Sequence, residues 1–261
     1  MQVLRRSTKG KDVKRWQFFL IGQKFHPGEV DGDFGKQTED ATKEFQRHHS
    51  LDVDGVVGNQ TLGTAMLLGF VAVEEEADTS TTGPNFPPKP DFAPLTGNPA
   101  RQQVFGKFVF KHKPLPSNPE NIVITDSWEQ DNIVRIPIAA LKGVPGASFD
   151  GGVRFHKLAQ QQLIDLWAAW QKAKLLHLLV TFDGAFVPRF IRGSTTVLSN
   201  HAFGSAFDIN ASFNSLGAEP ALVGRKGSVR EMVEIANDHG FYWGGHFQRL
   251  DGMHFEVAQL A

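Results

Sequence analysis

Between residues 71 and 98 the chain reads VAVEEEADTSTTGPNFPPKPDFAPLTGN, and this segment limits the possible folds more than any other. It carries five acidic residues against one basic, with the run Glu74–Glu76 followed by Ser/Thr and then five prolines. Such a stretch buries too little apolar surface to offset the entropy of ordering it, and its prolines keep it extended. One core therefore cannot run through all 261 residues. Two are expected, over 1–70 and 99–261, with 71–98 as an acidic, proline-rich linker that lets one part stay anchored while the other samples its surroundings.

Hydrophobic residues make up 41% and charged residues 21%, the balance of a soluble globular protein. The formal net charge is -1, which gives no global positive field, so nucleic acid is not an expected partner. With no cysteine, disulfides, thiolate nucleophiles and Cys-ligated zinc are excluded. No apolar run reaches the roughly 18 residues that a membrane span requires. The opening MQVLRRSTKGKDVKRWQ lacks an apolar segment and a small-residue cleavage site, so it does not read as a signal peptide.

The first 70 residues contain a repeat. VDGDFGKQT (30–38) and VDGVVGNQT (53–61) share V-D-G-x-x-G-x-Q-T at a spacing of 23. Asp-Gly makes a turn, because glycine tolerates positive φ, and each turn launches a helix. Ahead of the first turn, Val13, Trp16, Phe19 and Leu20 fall on one helical face; after it, Ala41 and Phe45 do the same. A small all-α domain of three helices is expected. Residues 3–68, with the D-G-x-x-G-x-x-T element twice, resemble the peptidoglycan-binding domain of bacterial and phage cell-wall hydrolases. The resemblance implies attachment to bacterial cell wall without catalysis.

From 99 onward the chain is mixed. IVITDSW, NIVRIPI, LHLLVTFDGAF, GSAFDIN, FYWGG and MHFEVA read as strands. VRFHKLAQQQLIDLWAAWQKAKLL reads as a helix with Leu158, Leu163, Leu166, Trp167 and Trp170 inward. SVREMVEIANDHG reads as a second helix, with Ser228 and Glu231 as a capping box and Gly240 as its stop. Strands returning through short connections favour an α+β class, an antiparallel sheet with helices. Residues 99–150 match no motif; they are expected to add strands and one wall of a groove.

Ten histidines are present, and three elements of context single out two of them. In LSNHAFGSAFDIN, strand alternation puts Gly204, Ala206 and Asp208 on one face and Phe207 and Ile209 on the other, with His201 on the loop entering the strand. In DGMHFEVA, His254 and Glu256 share a face, and Asp251 stands three residues before His254. A carboxylate on a half-buried strand needs a partner. Two neutral imidazoles and one carboxylate fit a catalytic zinc set with an open fourth position, and Asp251 could act as the base. Buried polar pairs with no ion fit the same residues.

SNHAFGSAFD and DGMH are similar to the two signatures, S-x-H-x-x-G-x-A-x-D and an acid three residues before a histidine, of the VanY-like zinc D-alanyl-D-alanine carboxypeptidases, a family that includes phage L-alanyl-D-glutamate endopeptidases. The resemblance covers most of 150–258. It implies one Zn2+ on His201, Asp208 and His254, with Asp251 as general base where many relatives carry glutamate. Aspartate is one methylene shorter, so its reach depends on backbone placement. FDGAFVPRFIRGS looks like the segment where the family places a substrate-side arginine, Arg189 first and Arg192 second. Ser199, Trp243 and His246 are candidate substrate contacts, Ser199 equally a loop cap, and Glu256 either orients a ligand histidine or sits at the strand edge.

The resemblance as a whole implies a zinc metallopeptidase of peptidoglycan. An endolysin-like L-Ala–D-Glu endopeptidase is the expected form, with a D,D-carboxypeptidase or a non-catalytic wall-binding protein as alternatives. A monomer is expected. Without a signal peptide, it would reach the cell wall in the periplasm through a phage holin or another secretion route.

Overall fold

The computed structural model describes residues 3–70, 83 and 85–261; the Glu74–Glu76 run lies outside the described residues. The buried apolar side chains fall into two clusters, one drawn from residues 4–70 and one from 105–257.

In the N-terminal part, helices α1 (Lys11–Gly22), α2 (Lys36–His48) and α3 (Asn59–Leu67) surround a core of Trp16, Phe19, Phe34, Phe45 and Phe70. The Trp16 ring meets the edge of Phe45 at 5.5 Å, and its Nε1 donates to Thr42 Oγ1 (2.9 Å). Both repeated turns are closed in the same way by a buried glutamine from the preceding helix. Gln17 Oε1 accepts from Gly32 N (2.9 Å), while its Nε2 donates to Asp31 Oδ1 (2.9 Å), Asp33 O (3.1 Å) and Thr38 Oγ1 (3.1 Å). Gln46 repeats the pattern on Gly55 N, Asp54 Oδ1, Val56 O and Thr61 Oγ1, at 2.7–3.0 Å. The motif's Asp, Gly and Thr are thus the three groups that a single side-chain amide ties together. Gly32 and Gly55 have φ 82° and 74°, which glycine adopts without strain.

The larger part is α+β with antiparallel sheets. Helix α4 (Gly97–Phe105) leads into the hairpin of β1 (Phe110–His112) and β2 (Ile122–Ile124). Helix α5 (Trp128–Asn132) follows, then the pair β3 (Ile133–Pro137) and β4 (Gly152–His156), then α6 (Gln160–Lys172). Strands β5 (Phe182–Gly184) and β6 (Ala206–Ile209), helix α7 (Val233–Asp238), and strands β7 (Phe241–Trp243) and β8 (His254–Val257) complete it. The last four strands form one sheet in the order β5-β6-β8-β7. One face of this sheet is apolar: Phe207 and Phe255 stack at 5.5 Å, and Trp170 of α6 covers both at 6.0 and 5.7 Å. The other face carries the polar residues described below.

Three expectations need correction. The helix expected from Val153 begins at Gln160, because Val153 and Phe155 alternate with Arg154 as a strand and pair with β3. Leu158, expected inward, lies in the strand-to-helix turn and is 53% exposed. Finally, residues 85–88 are extended but not free. Asn85 Oδ1 accepts from Val223 N (2.8 Å), Pro88 O from Asn237 Nδ2 (2.9 Å) and Pro87 O pairs with His246 Nε2 (2.8 Å). Prolines keep a chain extended and leave its carbonyls available, so a neighbouring surface with donors can hold it.

Gln46→Leu should destabilise the protein by about 2–4 kcal/mol in urea unfolding, because it leaves several buried turn groups unpaired at once. His156 gives a second test. Burial holds its pKa down at about 4 against the ordinary 6.5. On acidification the unfolded chain takes up this proton first, so stability falls between about 6.5 and 4. His156→Asn should be less stable at neutral pH but show a shallower loss between pH 7 and pH 4.5 in the same assay.

Candidate metal centre

Three short elements bring the polar residues together. Strands β6 and β8 pair so that Asp208 lies opposite His254 and Ala206 opposite Glu256. Directly opposed side chains share a face and stand about 5 Å apart at Cβ. His201 comes from the turn 200–203, whose start is capped by Ser199 Oγ accepting from His201 N (3.3 Å). Gly204 closes that turn at φ 63°, where an added Cβ would lie 2.6 Å from Ile133 Cδ1. Gly204 is therefore the reversal that folds His201 back over β6, rather than a member of the strand face.

Each imidazole is oriented by its outer nitrogen. His201 Nδ1 sits 2.6 Å from Ala185 O, so it carries the proton and leaves Nε2 as a lone pair. His254 Nε2 sits 2.9 Å from Glu256 Oε2, which leaves Nδ1 inward. The inner atoms then converge: His201 Nε2 to Asp208 Oδ1 3.1 Å, His201 Nε2 to His254 Nδ1 3.1 Å, His254 Nδ1 to Asp208 Oδ1 3.0 Å. With neutral rings all three are acceptors, and three acceptors at that separation repel unless a cation stands between them. Ligands about 2.0–2.1 Å from a tetrahedral ion stand roughly 3.4 Å apart, close to the spacing here. The donor set fits a divalent metal.

The electrostatics agree. Burial disfavours a charge on His254, but its hydrogen bonds to Asp208 and Glu256 outweigh that and raise its pKa to about 10. Burial also opposes ionisation of Asp208, yet His201 and His254 hold its pKa below the carboxylate range. Burial keeps His201 neutral by lowering its pKa. The site is built to hold positive charge: without an ion that charge is a proton on His254, donated to Asp208, and a metal ion would replace the proton and serve all three donors at once.

Behind the ligands runs a buried chain of polar groups that the sequence did not announce. Glu256 accepts from Asn200 Nδ2, and Asn200 Oδ1 accepts from Arg101 Nε (2.9 Å). Arg101 also donates to Leu198 O (2.9 Å), so α4 holds the His201 turn from outside. Glu120, beside β2, binds Arg192 (2.7 Å) and Gly193 N (3.1 Å). Residues 99–150 therefore buttress the site. Their separation of about a hundred residues from the turn hid this role.

A cavity of about 230 Å³ opens beside the ligands, and Arg189, Arg192, Ser199, Arg249, Asp251 and His254 line it. Asp251 Oδ1 is buried and accepts no hydrogen bond among the described residues. Burial raises this carboxyl to about 6, against the opposing pull of His254. The turn that holds it, with His254 N on Asp251 O (3.0 Å), packs against Gly244, where a Cβ would stand 2.4 Å from Asp251 O.

Arg189 donates to Phe190 O (3.1 Å) and stays charged with its pKa near 10, lowered by burial. Arg192 lines the cavity too, but its charge is offset by Glu120. Trp243 and His246 must be corrected, since neither lines the cavity. The Trp243 indole is buried behind the 244–252 loop, donating to Gly252 O (2.8 Å), and His246 binds Pro87 O on the 85–88 segment. Arg249 was missed, although it stands only two residues before Asp251.

Glu256→Gln should lower metal affinity about 10–100-fold, because the amide no longer fixes and polarises His254 as the carboxylate does. Competition with a chromophoric chelator would measure it, with His254→Ala as the variant expected to lose stoichiometric metal.

Residues 192–257 match the family described as D-alanyl-D-alanine carboxypeptidase, and residues 9–64 match the putative peptidoglycan binding domain. The spore cortex-lytic enzyme of Bacillus cereus is 42% identical over 60 residues, 23% of this chain and 23% of that protein. The N-acetylmuramoyl-L-alanine amidase CwlM of Mycobacterium tuberculosis is 35% identical over 82 residues, 29% of this chain and 20% of that protein. The chain thus spans about a fifth of the length of these curated relatives. The crystal structure of the SleB N-terminal domain is 38% identical, covering 25% of this chain and 90% of its own, with a TM-score of 0.25. The chain is therefore similar to the putative peptidoglycan binding domain at 9–64 and to the D-alanyl-D-alanine carboxypeptidase family at 192–257, the stretch that holds His201, Asp208, Asp251 and His254.

Proposed function

We propose that this protein is a zinc-dependent peptidoglycan hydrolase that cleaves a peptide bond of the stem peptide, as an L-alanyl-D-glutamate endopeptidase. The observation that carries the reading is the convergence of three ligand-type atoms beside the half-buried Asp251, whose Oδ1 has no hydrogen-bond partner among the described residues. The two family matches support it, one to a peptidase and one to a peptidoglycan-binding domain. His201, Asp208 and His254 would hold the ion. Bound there, Zn2+ would polarise the scissile carbonyl and lower the pKa of water at the open position.

The protein's own groups do the rest. Asp251, held up to about 6 by burial, is a carboxylate at neutral pH with unusual affinity for a proton. It takes the proton of the attacking water and returns it to the leaving amine. Arg189, charged and lining the cavity, would face the oxygen on which negative charge grows. The N-terminal part keeps the enzyme on its insoluble substrate, the cell wall, which supports a wall-directed site of action.

Cleavage of L-Ala–D-Glu is favoured because one curated relative is named as a cortex-lytic enzyme, and cutting this bond severs the cross-linked network. The family description favours a second reading, a D,D-carboxypeptidase that trims terminal D-Ala. Mass analysis of digested sacculi separates them: the endopeptidase leaves peptides beginning with D-Glu, whereas the trimming enzyme releases free D-alanine from intact stems. If zinc-loaded protein and its His201→Ala variant both leave sacculi uncut, the protein is a wall-binding protein and the hydrolase reading falls. Asp251→Asn should keep its metal and lose about 10²–10⁴ in kcat, since only the proton carrier is removed.

A further inference from the structure

Four arginines line the cavity; Arg101 is bonded to Asn200 and Leu198 O, and the surroundings of Arg189, Arg192 and Arg249 differ. Arg192 is paired with Glu120 at 2.7 Å. Arg249 Nη1 donates to a backbone carbonyl, Arg192 O (2.9 Å), and among the described residues Arg249 has no carboxylate within ion-pair distance. Burial makes its charge costly, lowering its pKa. A desolvated guanidinium on a cavity wall, which feels Asp251 and Glu120 through space but is bonded to neither, is suited to an anion that arrives with a ligand.

The support for Arg249 comes from the other end of the chain. Its guanidinium carbon lies 5.3 Å from the ring centre of Phe18, on α1. Phe18 stands off the core face of that helix, formed by Val13, Trp16, Phe19 and Leu20. Its position is fixed by contacts with no spare room. A Cβ on Gly217 would lie 2.4 Å from Phe18 Cβ, and a Cβ on Gly22, one helical turn on, would lie 2.8 Å from Leu216 N. Gln23 Nε2 donates to Ser215 Oγ (2.7 Å) at the same seam. Leu216 itself lines the cavity.

We propose that Arg249 binds the free carboxylate on the residue that provides the leaving amine, and that Phe18 of the N-terminal part holds it in position. The wall-binding part is then also a wall of the substrate cavity. The inference rests on the peptidase reading and holds for either bond: D-Glu in an L-Ala–D-Glu bond and terminal D-Ala each carry a carboxylate on the carbon bearing the scissile nitrogen. Arg249 is a substrate-binding residue and Phe18 a positioning residue.

The test uses the full-length zinc-loaded enzyme and small soluble stem peptides without glycan, so affinity for the wall plays no part. Each peptide is made with the free carboxylate and with its amide. The parent enzyme should prefer the acid about 10-fold or more in kcat/KM, the discrimination expected from a charge-assisted pair. Arg249→Gln should abolish that preference, so that acid and amide are cut with equal kcat/KM, while zinc content stays stoichiometric. Phe18→Ala should raise KM for the acid about 3–10-fold with kcat within about twofold, and Phe18→Tyr should restore it, since the ring face is retained. Persistence of the acid preference in Arg249→Gln, or an effect of Phe18→Ala on sacculi alone, overturns the inference and leaves the peptidase reading intact. A parent enzyme that cuts neither peptide overturns both.

Discussion

Three donor atoms held about 3 Å apart in a largely buried site need a positive charge among them, a proton or a metal ion, and the surrounding architecture holds them there. The geometry depends on one register. Pairing Asp208 with His254 places both on the same sheet face, and a slip of one residue would turn either to the apolar side. That apolar side fixes the register in turn. Phe207 and Phe255, the neighbours of the two ligands, stack on each other beneath Trp170, so core packing and metal geometry specify the same alignment.

The third ligand comes from outside the sheet and needs separate support. His201 is held by Ala185 O on one side and by the turn on the other, and the turn is tied to α4 through Arg101 and Asn200. Because Asn200 also binds Glu256, which orients His254, one buried network sets the direction of both imidazoles. Such a network is costly unless every member is paired. Asp251 Oδ1, beside this network, has no hydrogen-bond partner among the described residues. An unpaired carboxylate retains high proton affinity, the property required of a base.

The two parts of the chain each have their own core, yet they are not independent. Phe18 and Gly22 seat α1 on residues 215–217, and the segment 85–88 runs pinned along the larger part. These contacts bring α1 beside the cavity lined by Leu216 and Arg249.

The sequence alone determined the local features. The twin V-D-G-x-x-G-x-Q-T turns, the apolar helix faces and the strand alternation that sets Asp208 and His254 apart from Phe207 and Phe255 all follow from spacing, because backbone geometry has periods that residues reveal. The metal-ligand candidates and Asp251 were legible for the same reason. Tertiary structure decided what distance in sequence conceals: the Gln17 and Gln46 ties, the support from Arg101 and Glu120, the burial of Trp243 away from the cavity and the meeting of Phe18 with Arg249. It also moved Val153–His156 from helix to strand, since a mixed apolar pattern is resolved by its pairing partner. Spacing can place two residues on one face, but only packing determines which residues meet across the fold.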